Sequence, residues 1–305
     1  MRITLGMLTD SVRNNLFAST EGLMKSQEIA ATGKRISRPS DDVVGTGRAL
    51  SMRSALASID QFGRNTDIAN SELGVASSAL DSLVSAVQEI RSVALTAANS
   101  SLNDEARGAL ATKLDGLMNR IEEIANTQNA GRYIFAGSKS DAAPITWNAD
   151  HSVHTYNGDQ SPLAIRVGPQ TSISVSVAGD SLLNIGGVSV PGVPDLFETI
   201  NNLKQDVLAG DVQGISDQIA DIDASLNNVS SWRSQVGARL DQLESNTSAL
   251  LDSKTNLSEL LSQIEDADLA DSVIQLQIRQ NVYQAAIATA NQILNVSLAN
   301  MLNQG

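Results

Sequence analysis

The sequence predicts a mainly α fold: a long antiparallel helical bundle with paired N- and C-terminal coiled-coil helices and a small inserted β domain. Three observations carry this expectation. Five of the six prolines lie between Pro144 and Pro194 and eight of the 21 glycines between Gly131 and Gly192, while residues 40–143 and 195–305 contain no proline. Since both residues interrupt helices, the chain divides into a helical half, a turn-rich insert and a second helical half. Apolar residues recur at steps of three and four along both halves, the spacing of a coiled-coil seam. Finally, residues 280–305, "QNVYQAAIATANQILNVSLANMLNQG", carry no charge in a chain whose formal charge is −13. An uncharged, apolar-striped ending requires a partner to cover it.

Composition excludes several classes. At 305 residues with 42% apolar side chains the chain is long enough to bury a core, and with only 3% aromatic residues that core must be built from Leu, Ile, Val and Ala on closely packed helices. The 34 acidic against 21 basic side chains repel nucleic acid. There is no cysteine, which removes disulfides, thiol nucleophiles and Cys-held metals. The opening "MRITLGMLTDSVRNNLFAST" lacks the apolar stretch of a cleaved signal peptide. Gln280, Asn281, Gln284, Asn291, Gln292, Asn295 and Asn300 interrupt the uncharged ending, so a membrane span is not expected.

The elements follow in order. Residues 1–42 form an N-terminal arm, with Leu5, Leu8, Val12, Leu16 and Leu23 on a sparse helical face. Residues 43–140 form the first half of the bundle; its seam runs Met52, Ala55, Ile59, Phe62, Thr66, Ala69, Leu73, Ala76, Leu80, Leu83, Val87, Ile90, Ala94, Ala97, about 70 Å if helical throughout. A break at "NSSLNDEA" lets Asn103 cap a second helix carrying Leu110, Leu114, Leu117, Ile121 and Ile124, folded back antiparallel. Residues 141–194 are the β-rich insert, where Ile173, Val175 and Val177 alternate with serines. Residues 195–265 complete the bundle through Val236, Leu240, Leu243, Thr247, Leu250, Lys254, Leu257, Leu261 and Ile264. After "EDAD", residues 266–305 restart the stripe one register over as Leu269, Val273, Leu276, Gln280, Tyr283, Ile287, Ala290, Leu294, Ser297, Met301. With net +3 in residues 1–40 and −2 in residues 266–305, the two arms attract weakly and pair.

Catalytic chemistry finds no players. His151 and His154 have a spacing that could share a metal, but they sit in a turn-rich segment without the three or four ligands a site needs, and a solvated loop is expected. "GTG" at 45–47 and "GK" at 33–34 lack the spacing of a phosphate loop. No Ser-His-acid arrangement can be proposed, and the carboxylates of "SDD" and "EDAD" read as helix starts and solvated turns. The expectation is a non-enzyme with no cofactor and no metal.

Four phrases, "ATGKRISRPSDD" at 31–42, "GRYIFAGSKSDAAPI" at 131–145, "VGARLDQLE" at 236–244 and "IEDADLADSVIQLQ" at 264–277, resemble the flagellin superfamily, in its order and at both ends. Physically, Gly33 can end the first helix, Pro39 bars helix at Arg38, and Ser40, Asp41 and Asp42 can start the next, a hinge between arm and bundle. "NAGRYIFAG" is expected to stop a helix at Gly131, give a strand over Tyr133–Phe135 and turn at Gly137. The resemblance implies that the paired arms form an innermost tube, with the bundle around it and the insert facing outward. It further implies a structural subunit of the bacterial flagellum, exported without a cleaved signal peptide through the flagellar type III apparatus. Implied partners are further copies in a ring, an adjacent hook-associated protein, flagellin and a cytoplasmic export chaperone. The candidate assembly and chaperone interface is Leu5, Leu8, Val12, Leu16, Leu276, Tyr283, Ile287, Leu294, Leu298 and Met301. The second and third phrases favour a junction between hook and filament over the alternative, the filament subunit.

Overall fold

The computed structural model describes residues 5–99, 102–147, 154–185 and 190–302, with the side chains of Leu5, Leu8 and residues 294–302 outside the description. It forms two compact units, residues 59–252 and residues 1–58 with 253–305. Helices α1 (Leu5–Thr32), α2 (Val43–Ala97) and α3 (Asp104–Ala125) precede six short strands, and α4 (Gly179–Leu183), α5 (Leu196–Ala209), α6 (Val212–Glu265) and α7 (Leu269–Leu302) follow.

In the unit 59–252, the seam read from the sequence becomes the core from Thr66 onward: Ala69, Leu73, Ala76, Leu80, Leu83, Val87, Ile90, Ala94 and Ala97 are all buried. They meet Leu114, Leu117 and Ile121 of α3, Ile200 and Leu203 of α5, and Ile215, Ile222, Val229, Val236 and Leu243 of α6. Arg91 pairs with Asp223, Asp81 with Arg233, and Asn246 reaches Thr66. Rising numbers on α2 meet falling numbers on α6, which fixes the two as antiparallel. Asn103 caps α3 by accepting from the Ala106 amide at 2.9 Å, with Asp104 and Glu105 in the first turn.

The strands are three antiparallel pairs: β1 (Gln128–Asn129) with β2 (Arg132–Tyr133), β3 (Ile145–Trp147) with β4 (His154–Tyr156), and β5 (Ala164–Arg166) with β6 (Ser172–Ser174). Here the structure differs from expectation at "NAGRYIFAG". Helix α3 stops at Ala125, because the Asn126 side chain leaves the helix to bond both the N–H and C=O of Ile145. Ala130 (φ 49°) and Gly131 (φ 81°) then form the tight turn of the first hairpin, and the strand over Tyr133–Phe135 is cut to Arg132–Tyr133.

The insert also shares the core. Ile145, Val167, Ile173, Val175, Val177, Leu182, Leu183 and Ile185 belong to the same buried cluster as α2, α3, α5 and α6. Long-helix side chains hold its backbone: Asn65 donates to Arg166 O, Asn246 to Val167 O, Arg239 to Ser174 O and Ser176 O, and Asn228 to Ser181 O and Leu182 O. The polar residue inside the apolar seam, Thr66, sits at this docking point.

Candidate assembly interface and hinge

The second unit is built differently. α1 and α7 pack antiparallel: Leu269 lies beside Gly33, Arg279 covers Gly22, and Ala290 and Ile293 line a groove with Val12, Leu16, Phe17 and Thr20. Two helices alone cannot enclose a seam. Val12, Leu16, Leu276, Tyr283 and Ile287 are only half-buried, and Ala290 is the one fully buried apolar residue of α7 among those described. The side chains of Leu5, Leu8, Leu294, Leu298 and Met301 lie outside the described residues. The groove, about 360 Å³, is almost wholly apolar, with Arg13 among its lining residues.

α7 carries a further stripe that sequence reading missed. Ile274, Ile278 and Val282 recur every four residues and are exposed, Ile274 at 57%. This stripe lies away from Leu276, Tyr283 and Ile287, so α7 is apolar toward α1 and toward solvent as well. Phe17, exposed at 68%, and Met24 add to the same unit from α1. Leu269 and Val273, expected on the buried stripe, are instead exposed. A seven-residue repeat drifts around a helix of 3.6 residues per turn, and a single partner helix covers only part of that drift.

The candidate hinge is a knot of backbone and charge. Gly33 adopts φ +68° and donates to Ile29 O, closing α1 as a left-handed cap. The following residues cross the α6–α7 connection: Arg35 and Ile36 N–H groups donate to Glu265 O, and Ala267 N–H donates to Gly33 O at 2.8 Å. The Glu265 carboxylate, 4% exposed, receives Arg53 at 2.6 Å and Lys34 at 3.4 Å. The expectation of a solvated turn at "EDAD" therefore fails at Glu265, which ends α6 inside this knot, while Asp268 caps α7 by accepting from the Ala270 and Asp271 amides. Asp42 caps α2 through the Gly45 N–H. A Cβ on Gly45 would come within 2.7 Å of Ile36 Cδ1, so a larger residue there would make the Ile36 and Asp42 side chains shift. Asp41 accepts from the Ser37 and Arg38 amides and pairs with Lys25 at 2.6 Å. The Lys25 bond first, and those amides second, hold its carboxyl down at about 2.

Among the described residues no cluster of three or more His, Cys, Asp or Glu side chains occurs. His151 lies outside the described residues. His154 is not in a solvated loop: it lies on β4, its ring against Trp147 and Phe197 and its Nε2 2.9 Å from Asp195 Oδ2. Asp195 in turn caps α5. Aromatic packing turned a polar residue inward, a contact invisible to spacing because Phe197 lies outside the insert. No described helix is long and apolar enough to cross a membrane.

The bacterial flagellin N-terminal helical region matches residues 3–140 and the bacterial flagellin C-terminal helical region matches residues 219–302. The chain is 27% identical to the flagellar hook-associated protein 3 of Salmonella typhimurium, over 98% of both chains. It is 25% identical to a flagellin of Listeria innocua, over 96% of this chain and 95% of the flagellin. The fold is shared with a flagellar hook-associated protein of Vibrio parahaemolyticus (TM-score 0.67, 21% identity, 74% of this chain and 100% of that one). It is shared too with the flagellar hook associated protein-3 of Legionella pneumophila (TM-score 0.62, 19% identity, 70% of this chain and 98% of that one).

Proposed function

The chain belongs to the flagellin family, and we propose that within it this protein is the structural subunit that joins hook to filament, assembling through its terminal helices. The observation that carries the assembly reading is the contrast between the two units. One completes its own core, whereas α1 and α7 leave Val12, Leu16, Tyr283 and Ile287 half-covered and Phe17, Ile274, Ile278 and Val282 bare. An exposed apolar surface of this kind marks a contact that neighbours cover. Likeness to hook-associated protein 3 over nearly the whole chain favours the junction over the filament subunit. The role is non-catalytic. Partners are further copies in a ring, the adjacent hook-associated protein, flagellin, and before assembly a cytoplasmic chaperone covering the same apolar faces. Residence is the extracellular flagellum, reached through the type III export apparatus. Gly33, Pro39, Ser40, Asp41 and Asp42 are the hinge of this reading, in the connection between α1 and α2.

The test is the pair Tyr283→Asp and Ile287→Asp, which places two carboxylates on the α7 face toward α1. Buried and unpaired in an assembly, each costs at least several kcal/mol. Cells carrying the variant should shed flagellin into the medium, while residues 59–252 melt unchanged because they do not use these side chains. Immunogold labelling of wild-type flagella should give one band at the distal end of the hook. Normal filaments on the double variant would refute assembly through α7, and labelling along the filament would refute the junction assignment.

A further inference from the structure

Strand β4 ends at Tyr156, and the next two residues, Asn157 and Gly158, are the one Asn-Gly pair in the sequence. Such pairs are ordinarily turn elements, but here the chain runs on from β4 without a turn, and close packing accounts for the glycine. The Asn157 N–H donates to Pro144 O at 2.8 Å, and the Asp159 N–H to Ala136 O at 3.1 Å. Between these anchors Gly158 passes so close to the chain that a Cβ would clash with the Tyr156 hydroxyl and stand 2.8 Å from Ala136 O. No other residue fits. Close packing does not account for Asn157, which is exposed and reaches Thr146 Oγ1 at 2.9 Å and Ala143 O at 3.2 Å only through its amide nitrogen.

We propose that Asn157 is a site of spontaneous deamidation. The fold obliges a residue without a Cβ to follow it, so no side chain at 158 stands over the backbone nitrogen that the Asn157 side-chain carbonyl must meet. That nitrogen gives up its proton to hydroxide and bonds Asn157 Cγ; the Cγ–NH2 bond breaks and ammonia leaves, closing a five-membered imide. Water then adds to either imide carbonyl and opens the ring to aspartate or to isoaspartate. Water enters, ammonia leaves, and nothing is oxidised or reduced.

The structure also states the consequence. A carboxylate at 157 cannot donate to Ala143 O, so that bond is lost. The isoaspartyl form adds a methylene to the backbone between the Pro144 anchor and Gly158, which displaces Gly158 from its cradle. The Tyr156 hydroxyl donates to Phe135 O at 2.9 Å and accepts from the Gly179 N–H at 3.2 Å, and that N–H also donates to the same Phe135 O at 2.9 Å, so displacing Gly158 and Tyr156 loosens this shared joint at the base of the insert. Deamidation is therefore an ageing mark that acts at the point where the insert joins the core.

The experiment incubates the purified full-length protein in neutral and in mildly alkaline buffer and maps peptides by mass, with an isoaspartyl methyltransferase reporting the rearranged form. The acid form should accumulate at Asn157, faster in proportion to hydroxide, and well ahead of Asn129, whose successor Ala130 carries a Cβ. Asn157→Gln should stay intact. Aged protein, but not aged Asn157→Gln, should lose amide protection at Gly179. If Asn157 converts no faster than Asn129, or persists in the native protein while the urea-unfolded chain converts in the same buffer, the fold protects the pair and the proposal fails. Conversion with Gly179 still protected would overturn the loosening.

Discussion

Replacing Glu265 probes the crossing of the two chain arms. Its carboxylate is buried, but the side chains it binds, Arg53 and Lys34, are 52% and 45% exposed. Breaking a wholly buried ion pair costs about 3–5 kcal/mol, and an exposed pair is worth about 0–1. With the carboxylate buried and both cations half in water, Glu265→Ala should cost about 2 kcal/mol, and Glu265→Gln, which keeps an acceptor, about 1. The loss should be local. Near 1.4 kcal/mol per factor of ten, the alanine variant opens the joint roughly 30-fold more often. Hydrogen exchange reads this at the amides of Arg35, Ile36 and Ala267, whose acceptors are Glu265 O and Gly33 O. Amides around Leu83 and Ile90 serve as the control, since they belong to the other unit. Unchanged protection at Arg35, Ile36 and Ala267, or an equal loss at Leu83, would show that the Glu265 charge does not hold the joint.

Acid should loosen the same hinge at Asp41. Its folded carboxyl is depressed to about 2 from an ordinary 3.8, so its contribution is complete above about pH 4 and is lost as pH falls toward 2. Amide protection at Ser37 and Arg38 should follow that titration, and Lys25→Met should raise its midpoint; a wild-type midpoint near 4 would contradict the pairing. At the α5–α6 turn, burial first and then the nearby Asp211 and Asp217 raise the Asp206 carboxyl. A raised acid opposes folding when ionised, so Asp206→Asn should raise Tm at neutral pH and have no such effect once the carboxyl is protonated. Replacing residues 146–190 by a Gly/Ser linker removes Val167, Ile173, Val175, Val177, Leu182, Leu183 and Ile185 from the core. At about 1.5–3 kcal/mol each, their loss rivals the whole stability of an ordinary domain, so cooperative unfolding should disappear from the calorimetric trace.

What the sequence disclosed and what it hid divide along a physical line. Regular spacing was readable: Leu73, Leu80, Leu83, Val87 and Ile90 are buried at the intervals that pointed to them, and Asn103 caps the helix it was expected to cap. Contacts made once, between residues far apart in number, were not. Asn228, Arg239 and Asn246 look like surface residues of a coiled coil until the insert carbonyls arrive, and Glu265 looks like one more acid in a turn until Arg53, 212 residues away, closes on it. The interface itself was half readable. A stripe facing α1 follows from periodicity, but the second stripe through Ile274, Ile278 and Val282 blurs the pattern, because a helix apolar on two faces has no polar side to define the first.

Charge gives the uncharged ending a further meaning. The unit of residues 1–58 and 253–305 holds 10 basic and 10 acidic side chains, and residues 59–252 hold 11 basic and 24 acidic, so the entire −13 belongs to the unit with a finished core. In the proposed assembly, copies packed through their terminal helices would come closer than the roughly 8 Å over which physiological salt screens charge. Any net charge on that unit would be repeated by every neighbour and would oppose each added copy. A balanced unit with no charged side chain over residues 280–305 avoids this without needing a counter-charged partner. The other unit keeps the free subunit soluble through self-repulsion. Adding charge to the terminal pair should therefore weaken assembly even where the new side chain stays in water: Asn281→Asp and Gln284→Glu, both at exposed positions of α7, leave the single chain folded. Their incorporation into flagella should fall at low salt and recover as salt rises. Full incorporation at every salt concentration would mean that neutrality of the pair plays no part in assembly.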